Sequence, residues 1–451
     1  MPASRVLNPD LRRSYPRAVR ASGCYVYDEH GTAYLDACSG AIVVNVGHGN
    51  PEILRAIGAQ LAEITFSYRT HFTNGPAEEL AAELIEVAPG DLSHVLFTNS
   101  GSEAVEAALR LALQFWQERG QPQRTVLVSR EGSYHGATLG SLGLSGHTAR
   151  RRGLEAVLPQ WPRAAEANCS ACPFGLTRSS CALQCAQSVA DAIVAAGPER
   201  VAAVVVEPVV GAAAGAVPAP AGYLRALADI CRRYDVLLIA DEVITGGGRT
   251  GRWFASAEDG VVPDLIVLGK GVSAGYAPLG AVLVGARLWD GIRSGSGRVG
   301  LGHTYAGNPL STAAGLAVLR YVREHDLPAR AAAVGADLLR RLRDVVDRRG
   351  LAADVRGRGL LLAVEFADPA AAGDGRPGIT AAALVAAAQR RGLLLYPAGT
   401  GAVQRAVIVA PPLTIEPAEV DQLVQLFAAA LDDMDDPAAS DSAVATKGAD
   451  R

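Results

Sequence analysis

Between about residues 75 and 285 the chain alternates short apolar runs with longer stretches of helical period, and few folds accept that order. The apolar runs lie at 94–98, 125–129, 202–207, 236–240, 264–268 and 279–285, and the helical patterns at 76–88, 102–119, 186–196 and 221–233. Short runs bounded by turn residues read as buried strands, and a period of three to four reads as a helix with one apolar face. Strands separated by helices build a parallel, doubly wound α/β sheet, whose ligands sit beyond the C-terminal ends of the strands. After about residue 310 the pattern changes. Helices at 310–324 and 329–349 precede strand-like stretches at 360–366, 392–396 and 406–410, then a helix at 416–431, which together read as a second, α+β unit. A chain of 451 residues exceeds one ordinary core, in keeping with two units. Residues 24–38 read as a hairpin around Asp28–Gly31, and 51–64 as a helix with Pro51 in its first turn. The acidic tail from about Asp432 reads as disordered.

Composition narrows the function. With 49% hydrophobic and 20% charged residues the chain reads as soluble and globular. A net charge of -4 argues against a nucleic-acid partner. Arginine clusters such as Arg12-Arg13 and Arg150-Arg151-Arg152 are scattered and read as solvated faces or ion pairs. The start lacks an apolar signal core and no apolar run spans a bilayer, so a cytoplasmic protein without membrane contact is expected.

Of 42 basic residues only Lys270 and Lys447 are lysines. Arginine supplies charge but stays protonated, so it cannot attack a carbonyl as a neutral amine. Lys270 follows the apolar run Leu265–Leu268, and a lysine kept at a strand end in so lysine-poor a chain is a candidate Schiff-base residue; the plainer reading is a surface lysine. Asn99-Ser100-Gly101-Ser102-Glu103-Ala104 joins a strand to a helix starting near Ser102. Small residues at a helix N-terminus can cradle a phosphate, although Ser102 can equally be an ordinary cap. Asp241 ends the apolar run 236–240 and Glu207 ends 202–206; each carboxylate needs a cation or hydrogen bonds there. Tyr134, in Tyr134-His135-Gly136, can stack on a planar ring or simply pack in its loop. Together, a phosphate cup, an aromatic stacker, a strand-end carboxylate and a strand-end lysine are what pyridoxal 5′-phosphate requires.

These motifs, with Val206-Glu-Pro-Val209, Asp241-Glu-Val243, Gly248-Arg-Thr-Gly251, Gly269-Lys-Gly271, Gly302-His-Thr-Tyr-Ala-Gly-Asn-Pro309 and Ala410-Pro-Pro-Leu413, resemble in order and spacing the class III pyridoxal-phosphate aminotransferases of fold type I. The resemblance runs from about residue 20 to 430. It implies a large domain at 61–310 with a mostly parallel seven-stranded sheet, and a small α+β domain at 311–431 joined by the segment 1–60, with 432–451 as a tail. It also implies roles. Lys270 forms the Schiff base and then moves a proton; Asp241 pairs with the pyridine nitrogen; Tyr134 and Val243 cover the two ring faces. Ser100, Gly101, Ser102, His135 and Glu207 lie around the cofactor, and Thr304 reaches the partner subunit's phosphate, making the enzyme a homodimer with shared sites.

Departures from the ornithine and 4-aminobutyrate branches turn the resemblance toward amine:pyruvate enzymes. Ala212 replaces a gating Glu, Ile244 stands where many members have Gln, and Ile408 stands where those enzymes place an Arg. Arg405 is the nearest arginine and is expected to serve as a movable carboxylate binder, while Ala41 and Ile42 are expected to line the substrate pocket. The implied reaction moves an amino group from an amine or omega-amino acid to a keto acid, pyruvate above all. Decarboxylase, aminomutase or racemase chemistry on the same fold is the alternative, and a non-catalytic fold relative a third reading. Cys169, Cys172, Cys181 and Cys185, inside an insertion at 169–185, are open to three readings: bound zinc, reduced thiols or disulfides.

Overall fold

The computed structural model describes residues 5–351, 353–368 and 378–435. The chain opens with a meander, β1 (Ala18–Ser22), β2 (Tyr25–Asp28) and β3 (Ala33–Asp36), then helices α1 (Pro51–Glu63) and α2 (Gly75–Val87). The alternating region follows: β4 (Leu92–Thr98), α3 (Gly101–Glu118), β5 (Val126–Arg130), β6 (Arg163–Ala164), α4 (Gln184–Ala196), β7 (Val201–Val206), α5 (Tyr223–Arg233), β8 (Leu237–Asp241), β9 (Leu265–Leu268) and β10 (Gly280–Gly285). Helices α6 (Pro309–Glu324) and α7 (Leu327–Arg348) lead to β11 (Ala353–Arg358), β12 (Leu361–Phe366), α8 (Ala381–Arg390), β13 (Leu393–Leu394), β14 (Tyr396–Ala398), β15 (Ala406–Val409) and α9 (Pro417–Asp435). The expected tail thus begins as the last turn of α9, and 436–451 lie outside the described residues.

Seven strands form the large sheet in the order β4-β10-β9-β8-β7-β5-β6. All run parallel except β10, which is antiparallel to both neighbours. The reason is local. No crossover helix separates β9 from β10, only a loop that includes a single 3₁₀ turn at Lys270–Val272, and a strand returning without a crossover must reverse direction. Strand β7 is buried at every position, and its side chains alternate between two cores: Ala203 and Val205 pack with α3, Val204 and Val206 with α4 and α5. Trp116 ties α3 to the sheet by donating its indole N–H to the Ala202 carbonyl at 2.9 Å.

Two four-stranded sheets and a two-stranded ribbon, Val209–Val210 against Val217–Pro218, complete the fold. Strands β11, β12, β15 and β14 pair antiparallel, and the N-terminal meander gains β13 as a fourth strand beside β3. Strands β1, β6 and β11 and helix α8 lie outside the expected elements. Strand β6 has two residues, and β1 is mostly exposed, so neither carries an apolar period. Among the described residues no helix is long and apolar enough to cross a membrane.

Candidate active site

The parallel strands deliver their last residues to one edge of the sheet, and there a cavity of about 210 Å³ is lined by Ser100, Gly101, Ser102, Tyr134, His135, Gly136, Glu207, Asp241, Val243, Ile244 and Lys270. Four separate strand ends contribute, β4, β7, β8 and β9, with the loop after β5.

The turn after β4 is built by reciprocal capping. Ser100 Oγ accepts from the Glu103 amide at 3.2 Å, while Glu103 Oε2 reaches back to the Asn99 amide at 2.8 Å. The cap of α3 is therefore Ser100, and the helix starts at Gly101 instead of near Ser102. Ser102 is freed from capping, and its Oγ accepts from the Ala137 amide at 3.1 Å. A side chain at Gly101 would bring its Cβ within 2.9 Å of Val243, so glycine is what lets the loop and Val243 close together. The result is a helix N-terminus, electrostatically positive, opening into the cavity.

Asp241 is buried. Its Oδ2 lies 2.8 Å from His135 Nδ1 and its Oδ1 accepts the Val243 amide at 3.1 Å. His135 is anchored in turn by its amide on Ser145 Oγ, and its Nε2 is buried without a hydrogen-bond partner among the described residues. Glu207 Oε1 accepts from the Tyr134 amide and Oε2 from the Gly211 amide, each at 3.0 Å. Burial pushes the Glu207 carboxyl above the usual range, against the attraction of His135. Tyr134 has His147 edge-on at 5.8 Å and the Arg150 guanidinium 4.7 Å from its ring centroid.

Lys270 is held in the left-handed region, at φ 43°, directly after β9. Withdrawal from water lowers its ammonium pKa to about 8, against the attraction of Asp241 and Glu207. At that value a useful share of the amine is neutral and nucleophilic near pH 7.

These residues fit the expected cofactor on the structure's own terms: a helix N-terminus for a phosphate, a buried carboxylate for a pyridinium, a primary amine of lowered pKa for an aldehyde, and Tyr134 and Val243 lining the same cavity for a ring. Ile42 and Ile408 pack with Ile244, so three of the sequence-singled positions form one apolar wall beside the cavity. Ala212 is buried, and its carbonyl accepts from the Gly399 amide at 3.1 Å.

Five expected residues do not line the cavity of this chain: Ile42 and Ala212 are buried behind it, and Arg405, Thr304 and Ala41 lie away from it. Arg405 is ion-paired with Asp368 at 2.9 Å, and Thr304 and Ala41 are exposed. The sequence reading also missed Arg150 and His147 at the Tyr134 ring, and Glu242. The last is fully buried and ties Thr245, Ala255 and Ser256 to the β8 end, raising its own carboxyl by burial. Its position inside Asp241-Glu-Val243 was the available signal. The four clustered cysteines line a separate cavity of about 270 Å³ as free thiols, and among the described residues no group of three or more His, Cys, Asp or Glu is arranged to hold a metal ion.

Comparison with known proteins agrees with this geometry. Residues 11–431 match the aminotransferase class-III family. The uncharacterized aminotransferase YodT of Bacillus subtilis is 40% identical over 94% of this chain and 97% of its own. The putrescine–pyruvate aminotransferase of Pseudomonas aeruginosa is 33% identical over 92% and 90%. An (S)-enantioselective omega-transaminase from Thermomicrobium roseum superposes with a TM-score of 0.89 at 35% identity, covering 96% of this chain and 97% of that one. The omega-transaminase of Pseudomonas jessenii, solved with PMP, superposes at 0.87 with 34% identity over 93% of both chains. With its cavity, its sheet and these relatives in agreement, the chain belongs to the class III aminotransferases, enzymes of fold type I that work with pyridoxal 5′-phosphate.

Proposed function

We propose that this enzyme moves an amino group from an amine or omega-amino acid donor to a keto acid, pyruvate, and does so as a cytoplasmic homodimer. The observation that carries the reading is the single cavity that joins Lys270, the Asp241–His135 pair and the α3 N-terminus. Its apolar wall of Ile244, backed by Ile42 and Ile408, favours a small acceptor and an apolar donor chain over a dicarboxylate. The putrescine–pyruvate relative is in keeping with this choice.

When bound, pyridoxal phosphate supplies an aldehyde that condenses with amines and a ring that withdraws electrons. The chain's own residues do the rest. Asp241, oriented by His135, keeps a proton on the ring nitrogen. Tyr134 and Val243 hold the ring flat. Ser100, Gly101 and Ser102 fix the phosphate. Lys270 would supply the primary amine that holds the aldehyde and, once free, the base that moves a proton at the donor carbon. Ala212 and Ile42 are assigned to the substrate side. The cofactor domain at 61–310 and small domain at 311–431, joined by 1–60, are proposed as the working units.

The test is the visible absorption of the purified holoenzyme, with amine donors added singly. A cofactor band that disappears with a donor and returns with pyruvate supports the proposal. Carbon dioxide release without a keto acid, or inversion of the donor without amine transfer, replaces it with decarboxylase or racemase chemistry.

A further inference from the structure

We propose that Arg150 is the residue that binds the substrate carboxylate, both that of the keto-acid acceptor and that of any carboxylated donor. This rests on the keto-acid reading above and adds to it the group that recognises the acid.

The first observation is position. The Arg150 guanidinium lies 4.7 Å from the centroid of Tyr134, which lines the cavity. A guanidinium lying against an aromatic ring uses its face and leaves its in-plane N–H donors free, the geometry that grips a carboxylate with two hydrogen bonds. Arg150 is close enough for its charge to be felt by Lys270, favouring the neutral amine.

The second is availability. Among the described residues, Arg405, Arg356, Arg130 and Arg249 are each held by other groups, although buried Arg130 Nη1 and Arg249 Nε lack a partner. Arg405 is on Asp368, Arg356 on Asp354, Glu365 and two carbonyls, and Arg130 on the Glu207 carbonyl. Arg249 is buried on the carbonyls of Leu360 and Pro411, with Asn45 and Ser39. Arg150 alone of these has no hydrogen bond or ion pair from its side chain among the described residues, and it is exposed.

The third is support. Its neighbour Arg151 is buried and donates to the carbonyls of Leu142, Gly143 and Ser145, closing the C-terminal end of the short helix Leu139–Leu144. On the other side Thr148 Oγ1 and the Ala149 amide both donate to the Thr400 carbonyl, at 2.7 and 3.2 Å. The turn carrying Arg150 is thus pinned at both ends while its side chain stays free, the combination expected of a binding residue.

The experiment compares wild-type holoenzyme with Arg150→Gln and Arg150→Lys, using pyruvate and butanal as acceptors and 4-aminobutyrate and butylamine as donors. The two acceptors each react through a carbonyl and the two donors through a primary amine, and only one member of each pair carries a carboxylate. Arg150→Gln is expected to raise KM for pyruvate and 4-aminobutyrate at least about tenfold, and to change butanal and butylamine less than about twofold. Arg150→Lys, which keeps charge but loses the planar fork, is expected to fall between. Equal changes for both members of a pair, or none for either, overturn the assignment. Propionate titrated against the cofactor absorption band gives a readout without turnover: weaker binding in Arg150→Gln supports the proposal and unchanged binding sinks it. If the wild type aminates no keto acid, the proposed function fails, and the propionate titration still decides the role of Arg150.

Discussion

Lys270 carries an unfavourable charge on an unfavourable backbone. Its left-handed φ costs about 1–2 kcal/mol for a residue with a Cβ, and burial lowers its pKa to about 8. Both are tolerated at a site where the amine must be neutral and aimed. Two expectations follow from the sign of the shift. The neutral amine attacks the cofactor aldehyde, so the rate of loading apoenzyme should rise about tenfold per pH unit to pH of about 8 and then level off, followed by absorbance. In the empty enzyme the folded pKa lies below the unfolded one. The buried charge therefore weakens the fold below about pH 8, and stability recovers as pH rises from there toward the unfolded value. Lys270→Met should melt higher than wild-type apoenzyme at pH 7, by on the order of 3 kcal/mol, with the gap closing by pH 10. With cofactor added, the same variant should show no turnover.

Helix ends place the site's groups, and one of them offers a clean test. Arg151 satisfies three carbonyls at the end of the helix Leu139–Leu144. Arg151→Met keeps the bulk but leaves the Ser145 carbonyl without its donor, while Leu142 and Gly143 keep only the Ser145 amide and Arg163. It should cost about 1–3 kcal/mol in a denaturant titration, while also loosening Arg150 and raising KM for pyruvate. At this scale the sequence was legible where burial is continuous. The apolar runs ending at Val206 and Ala240 had to stop at a polar residue, so Glu207 and Asp241 stood out as strand-end groups. It was not legible where neighbours in sequence part in space. Arg150 and Arg151 are identical letters, and only the carbonyls beneath one of them separate a buried clamp from a free cation. Ser100 and Ser102 both suit a cap, and the choice fell to Ser100 because Glu103 lies three residues on and can reach back to Asn99. Strand β10 offered no letter for its direction, which is set by the missing crossover helix.

The whole molecule presents a face that a single chain does not cover. Phe66, Tyr68, Phe72 and Tyr305 are exposed, with Phe66 and Tyr305 packed edge to face at 5.9 Å beside Thr304. Clustered aromatics on a surface mark an interface, and a second copy is the occupant that the shared-site reading requires. Light scattering should give about twice the 46.7 kDa chain mass. The trans role of Thr304 has a sharper test, because two inactivating changes can be placed on the same chain or on opposite chains of a tagged mixed dimer. Thr304→Val alone should weaken cofactor binding. Pairing a Lys270→Ala chain with a Thr304→Val chain leaves one site whose Lys270 receives an intact Thr304 from its partner, so half the sites should bind cofactor with wild-type affinity and turn over. Pairing wild type with the double variant leaves the only Lys270 facing Val at position 304, so that affinity should stay weak. If Thr304 served its own chain instead, the two mixtures would exchange results.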